Sequence, residues 1–332
     1  MTRPSPKVAV CIVSFNSADE IPGCLHSIGR STYRPLEIVL VDCASLDASV
    51  SVAQQSRPSD LSMEIIALEE NVGFAGGMNR AIASSDAPWI LSLNPDARPS
   101  AEYVEQLLAR AASGHGIGAA TGRLRRPAPP GSAPILDACG MRLTLTWRHL
   151  DRGSGELDRE QWAQAERVFG ATGAASLFRR EALDDVAIEG DVFAPEFHSF
   201  REDAELCFRL RERGWEVVYE PLAHCQHRRH NLPQRRREMQ PEINYHSLKN
   251  RYLLRAYHQD SMNLLLTLVP TLVRDLLALL YVLTFERSSL EAYRWLWLHR
   301  RDILQRRRLL RQRQTCTSWE LNRWFLRRSL PL

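Results

Sequence analysis

Several short segments of this sequence carry residue types that can do chemistry together. Asp42 ends the apolar run LEIVLVD, and Asp96 follows PWILSLNP. A carboxylate just beyond a buried strand can accept hydrogen bonds from a ribose or base, or hold a divalent cation that bridges phosphates. Asp also initiates turns and caps helices, so each position carries that second reading. Glu202-Asp203 precedes AELCFR. Paired acids at a helix start complement the macrodipole, and a carboxylate there can also take a proton from an acceptor hydroxyl at neutral pH. The run ENVGFAGGMN, residues 70–79, places glycines where backbone N–H groups could approach an anion or sugar, or simply make a tight turn. It matches neither GxGxxG nor a P-loop. His224-Cys225-Gln226-His227-Arg228-Arg229-His230 lacks the second ligand pair of a structural zinc site. One histidine completing a carboxylate-based metal site fits better.

The elements that must position these residues follow from hydrophobic periodicity. Apolar runs at 7–14, 36–42, 62–68 and 88–93 predict buried parallel strands. Helices are expected near 18–30, 47–56, 78–84 and 100–112, with a Gly-rich turn over 71–77. Such alternation implies a doubly wound α/β sheet, with polar residues just after strand ends, where these sheets bind ligands. Residues 125–134 are rich in Pro and Gly and predict a loop. A strand pair is expected within 139–170, and a helix over 202–213 stopped by Gly214.

Composition narrows the class. A chain of 332 residues with 44% hydrophobic and 25% charged residues has the make-up of a folded protein. The N-terminus shows no signal-peptide pattern, and the seven cysteines are scattered, which predicts a reducing, cytoplasmic setting. The net charge of +4 hides an asymmetry: residues 286–332 hold 12 arginines against 4 acids. This tail, with Trp295 and Trp297, suits an anionic membrane surface or a helix packed on its own domain. Residues 261–285 form the most apolar stretch, interrupted by Pro270 and by Arg274-Asp275. That charged pair predicts two packed or interfacial helices rather than a transmembrane span. The absence of GxGxxG after the first strand excludes a dinucleotide-binding oxidoreductase, and no nucleic-acid partner is expected because no recognition motif accompanies the basic tail.

Taken in order, these segments resemble the family 2 glycosyltransferases, in particular the bacterial rhamnosyltransferase-like branch. The matching residues are Val13-Ser14-Phe15-Asn16, Val41 to Ser45, Asn71 to Asn79, Leu93 to Asp96, Thr172 to Arg180 and Phe193 to Arg209. The resemblance implies an inverting enzyme of the GT-A fold over residues 1–230: a doubly wound mixed sheet with a Rossmann-like nucleotide-binding half. A helical extension with apolar helices would follow over 231–285, then the basic tail over 286–332. It implies Asp203 as catalytic base with Glu202 beside it. Asp96 and His227 would hold a divalent metal, Mg or Mn. Ser14, Asn16, Asp42, Asn71, Gly76, Gly77, Asn79 and Asn94 would bind a nucleoside-diphosphate sugar donor. The acceptor would be a glycan or a lipid-linked glycan in surface polysaccharide synthesis, reached from the cytoplasmic side. A non-catalytic, nucleotide-sugar-binding homologue is the alternative. Asn94 replaces the first acid of the family's DxD motif, and Cys43, Phe200 and Arg201 also depart from the usual pattern.

Overall fold

A computed structural model describes residues 5–129, 131–229 and 240–332. Its centre is a mixed sheet in the order Leu330–Pro331, Glu166–Arg167, Glu216–His227, Ile117–Arg126, Ala175–Arg179, Trp89–Leu93, Val8–Ser14, Leu36–Asp42 and Ser62–Ala67. Strands β1 (Val8–Ser14), β2 (Leu36–Asp42), β3 (Ser62–Ala67) and β4 (Trp89–Leu93) are parallel neighbours, as their apolar runs predict. The short strand β5 is Ala97–Pro99, β6 is Ile117–Arg126 and β7 is Ile135–Ala138. The sheet turns mixed where β11 (Ala175–Arg179) runs antiparallel between β4 and β6. A separate pair, β8 (Met141–Leu143) and β9 (His149–Asp151), supplies the strand pair expected within 139–170. Strand β10 is Glu166–Arg167, and β12 (Glu216–His227) carries His227 at its end.

Helices α1 (Ile21–Gly29), α2 (Ser49–Gln55), α4 (Tyr103–Ala112) and α5 (Arg180–Val186) join the strands. Helix α3 (Gly73–Ala83) begins five residues earlier than expected, so Gly76 and Gly77 lie inside it rather than in a turn. Close packing explains the difference. A Cβ at Gly77 would stand 2.7 Å from a Val13 methyl, so only glycine lets this helix settle on β1. Helix α6 (Glu202–Glu212) ends as predicted, with Gly214 at φ +86 just past its cap.

The C-terminal helices are α7 (Pro241–His258), α8 (Ser261–Phe285), α9 (Leu290–Leu298), α10 (Arg300–Arg313) and α11 (Ser318–Asn322). They share one apolar core with the sheet domain: Leu253, Tyr257, Ile303, Leu310, Trp324 and Phe325 pack with Phe169, Phe197 and Phe208. Trp324 is 1% exposed beneath the Arg211 guanidinium, and the last strand, β13 (Leu330–Pro331), pairs with β10. The basic tail is thus built into the fold, the second of its two sequence readings.

Residues 261–285 form one helix, not two, with Pro270 inside it. Its amphipathicity is inverted. Asn263, Thr267 and Thr271 are buried, and Arg274 and Asp275 turn the same way: Arg274 donates to the Thr146 carbonyl (2.7 Å), and Asp275 pairs with Arg251 and Arg255. Every leucine, valine and methionine from Met262 to Leu280 is exposed. The charged pair that argued against lipid therefore faces protein, and the apolar side faces outward.

Candidate active site

A cleft of about 1360 Å³ opens beyond the carboxyl ends of β1, β2 and β4, where a sheet of this winding leaves room for a ligand. Phe15 and Asn16 line it after β1, Cys43 and Asp47 after β2, and Asn94 to Asp96 after β4. Asn16 takes a left-handed φ of 49, a conformation its short polar side chain tolerates. Its Oδ1 accepts from the Leu46 N–H (2.8 Å), and its own N–H donates to Ser45 Oγ (2.8 Å). Ser45 is fixed in turn by Asp42, which accepts from the Ser45 hydroxyl (2.6 Å), the Ser45 N–H (2.9 Å) and the Ser14 hydroxyl (2.8 Å).

Not every expected donor residue reaches the wall. Ser14 and Asp42 are buried beneath it, and their mutual bond shapes the loop above. Gly76 and Gly77 are also off the cleft: Gly77 faces Val13 of β1, and a Cβ at Gly76 would meet the Val72 side chain at 2.8 Å. Asn79 is turned away: its amide donates to Asp191 (3.0 Å) and the Phe193 carbonyl (2.8 Å), and its Oδ1 accepts from the Phe193 N–H. This clamp ties α3 to the segment leading to Glu202. Gly73 takes the place foreseen for the later glycines. It lines the cleft at φ +70, and a Cβ there would lie 2.5 Å from the His198 carbonyl oxygen. Asn71 lines the cleft and accepts from the Gly73 N–H (2.9 Å). Asn94, also on the wall, is anchored by its N–H to the Ala174 carbonyl (2.8 Å).

Asp96 and His227 meet although they lie far apart in sequence. His227 Nε2 lies 3.2 Å from Asp96 Oδ1, and His227 Nδ1 lies 2.7 Å from Asp137 Oδ2. Asp137, only 1% exposed, is the partner that sequence reasoning missed; it sits in β7, a strand of four residues, too short for a period to mark it. Burial opposes charge on His227, but the bonds to Asp137 and Asp96 raise its pKa to about 9. The outer oxygen of Asp96 accepts the Arg229 N–H (3.1 Å). One carboxylate oxygen and one imidazole nitrogen, side by side at the end of an open cleft, suit a divalent ion whose remaining ligands are phosphate and water. A second carboxylate orienting a ligating histidine is the usual outer-shell arrangement. Among the described residues no group of three or more His, Cys, Asp or Glu stands ready as a closed metal cage. The donor set therefore fits a metal that arrives with a diphosphate. Asp137→Asn is expected to weaken metal affinity by about 10–100-fold while leaving the fold intact, as titration of Mn²⁺ would read. His230, the third histidine of the cluster, lies outside the described residues.

Glu202 and Asp203 start α6 and line the same cleft. Asp203 accepts N–H groups from Gly173 (3.1 Å) and Ala204 (2.7 Å). Burial pushes its pKa up to about 6, against the lowering effect of the Gly173 bond. Burial, and then the charge on Asp203, raise Glu202 well above the ordinary range. Burial and mutual repulsion thus bias the proton of the pair toward Glu202 and leave Asp203 as its carboxylate. Glu202 Oε2 is buried without a hydrogen-bond partner among the described residues. The approach to this pair is strained, with His198, Phe200 and Arg201 all at positive φ. Asn250 on α7, fully buried, holds that stretch by donating to the carbonyls of Phe197 (2.7 Å), Ser199 (2.8 Å) and Phe200 (2.7 Å). Strained backbone persists where surrounding contacts over-determine it, and such sites are often functional. The C-terminal extension therefore helps to place the acidic pair.

Comparison with known proteins bears on this architecture. Residues 9–187 match the model of glycosyl transferase family 2. An N-acetylglucosaminyl-diphospho-decaprenol L-rhamnosyltransferase of Mycobacterium tuberculosis is 29% identical over 248 residues, which are 68% of this chain and 76% of that protein. Among solved structures, the mannosyltransferase PcManGT from Pyrobaculum calidifontis, in complex with GDP-Man and Mn²⁺, superposes with a TM-score of 0.56 at 16% identity, over 98% of this chain and 86% of its own. Staphylococcus aureus TarS 1-349 in complex with UDP gives a TM-score of 0.50 at 16% identity, over 80% and 70% of the two chains. These likenesses establish the GT-A fold, and the match over more than half its length places the chain in glycosyl transferase family 2, as a sugar-transferring enzyme.

Proposed function

We propose that the chain moves a deoxysugar such as rhamnose from a nucleoside diphosphate to a hydroxyl of a lipid-linked glycan, inverting the anomeric centre. The observation that carries this reading is the presence of Asp203, a half-buried carboxylate with a pKa raised to about 6, in the same cleft as the Asp96–His227 pair. Similarity to the Mycobacterium tuberculosis rhamnosyltransferase favours rhamnose and a lipid-linked acceptor. Asn16, Asn71, Gly73 and Asn94 would border the donor, with Asp42 and Ser14 holding the loop of Ser45. Asp203 takes the proton of the acceptor hydroxyl as its oxygen bonds to the anomeric carbon. The bond from that carbon to the diphosphate breaks on the opposite face, and the nucleoside diphosphate departs. Glu202, whose carboxyl is pushed toward its protonated form, would orient the acceptor by donating a hydrogen bond. A divalent ion, Mg or Mn, at Asp96 and His227 would neutralise charge on the leaving diphosphate. The test is release of nucleoside diphosphate from a panel of UDP-, GDP- and dTDP-sugars with Mn²⁺ and a lipid-linked acceptor. Selective release with dTDP-rhamnose supports the reading, and no release from any donor contradicts it.

The same reading puts the protein on the inner face of the plasma membrane, held by α8 rather than by a free tail. A helix with its polar stripe against protein and its leucines outward suits a lipid interface, and exposed Arg287, Arg294, Arg300 and Arg301 flank it for an anionic surface. Leu265, Leu272 and Leu276 are 79%, 56% and 54% exposed, so replacing them with Glu touches little of the core. Each leucine moved from water to hydrocarbon is worth about 1.5–3 kcal/mol, so the triple variant should partition to lipid on the order of 10³-fold more weakly. Sedimentation with vesicles checks this, with an unchanged thermal midpoint as the folding control.

A further inference from the structure

The seven arginines on the cleft wall fall into two groups. Arg126, Arg228 and Arg229 are each paired with acids: Asp137 for Arg126, Glu20 for Arg228, and Asp137 with Asp151 for Arg229. The others gather at the end beside α8. Arg142 comes from β8, Arg148 from the turn before β9, Arg201 from the residue preceding Glu202, and Arg274 from the inner stripe of α8. Among the described residues Arg142, Arg148 and Arg274 have no ion-pair partner, and Asp275 beside them is already taken by Arg251 and Arg255. His149 lies in their midst, 3.2 Å from an Arg201 nitrogen. Burial, then Arg201, Arg229, Arg148 and Arg274, hold it well below the usual histidine range. Arg148 lies near enough to feel the charge of both Arg142 and Arg274, and three such guanidiniums without ion-paired carboxylates among the described residues make a receptor for a multiply charged anion. The donor diphosphate is accounted for at Asp96 and His227, so a second anion is called for. Arg274 also sits on the helix whose outer face is a layer of exposed leucines, so this anion would enter where hydrocarbon can lie.

We propose that Arg142, Arg148 and Arg274 form a subsite for the diphosphate of a prenyl-diphosphate-linked acceptor, with its hydrocarbon chain leaving the cleft toward the exposed face of α8. The inference rests on the transferase reading above and specifies which part of the acceptor the chain grips. Holding the diphosphate there presents the attached sugar to Glu202 and Asp203, because Arg201 joins the arginine cluster directly to that pair.

The test uses farnesyl diphosphate as a soluble probe. It is titrated into the full chain already saturated with Mn²⁺ and whichever nucleoside diphosphate it binds, so that the donor site is filled. Wild type should bind the probe but not farnesol. R142Q/R148Q, and separately R148E, should bind it at least about tenfold more weakly, the scale of one lost charge-assisted hydrogen bond. Nucleoside diphosphate affinity should be unchanged in both, which also shows that they fold. Equal probe affinity in wild type and both variants, with nucleotide binding intact, overturns the proposal. So does weakened binding to vesicles containing phosphatidylglycerol without a change in probe affinity, since the arginines would then read a lipid headgroup. If wild type binds no nucleoside diphosphate, the transferase reading itself fails, and the subsite assignment falls with it.

Discussion

Asp203→Asn is expected to lower turnover by about 10²–10⁴-fold, the usual cost of removing a well-placed general base, while leaving donor binding nearly unchanged. The amide keeps the shape of the carboxylate and an acceptor oxygen for one of the two bonds from Gly173 and Ala204, which go to different carboxylate oxygens. It cannot accept the acceptor's proton. The wild-type pH profile should carry the same signature. With the pKa of Asp203 raised to about 6, the base is protonated below that pH, so log kcat/KM should rise with unit slope up to about pH 6 and then level. The residual activity of Asp203→Asn should lack that limb. A variant that retained near-normal transfer, or kept the acidic limb, would remove Asp203 from the base role.

Asp96→Ala carries the second large effect. Asp96 is the carboxylate beside Nε2 of His227, and both residues face the cleft. Without it, a divalent ion keeps a single neutral ligand, too little to hold a hard cation that prefers oxygen donors. Chelation should abolish turnover in wild type, and added Mn²⁺ or Mg²⁺ should restore it. In Asp96→Ala no metal concentration should do so. Metal binding should also release a proton below about pH 9, because His227 is held charged between its two carboxylates until a metal takes Nε2. Full activity of Asp96→Ala in the presence of a chelator would refute the metal assignment.

Much of this architecture was legible before the structure. Strands β1, β2 and β4 announced themselves because strands buried on both faces are continuous apolar runs, and the observed bounds of β1 to β4, the edge strand β3 included, differ from the expected ones by one residue at most. The acidic pair was legible because helix periodicity and Gly214 bracket α6. Other features depend on contacts between distant segments. Asp137 joins His227 across 90 residues, and Asn250 reaches the strained 198–201 stretch from a helix of the extension. Gly76 and Gly77 read as a turn because sequence does not reveal how closely a helix must approach a strand. In 261–285 only the division into two helices differs from what is found, and the single helix too is written in the residues. Asn263, Thr267, Thr271, Arg274 and Asp275 recur at helical spacing, so one continuous helix puts them on a single stripe. Counting the charged pair against the segment's hydrophobicity, rather than by face, concealed that stripe.

In this reading the cleft takes a nucleoside diphosphate through a metal at Asp96 and His227. The most direct measurement is a thermal-shift panel of nucleoside diphosphates and nucleotide sugars, with and without Mn²⁺, on wild type and Asp96→Ala. A ligand at 100 times its dissociation constant stabilises the native state by roughly 2.7 kcal/mol, which such a scan detects. The expected result is a shift for one nucleoside that requires Mn²⁺ and vanishes in Asp96→Ala. No shift with any nucleotide, or an equal shift in Asp96→Ala, would contradict it.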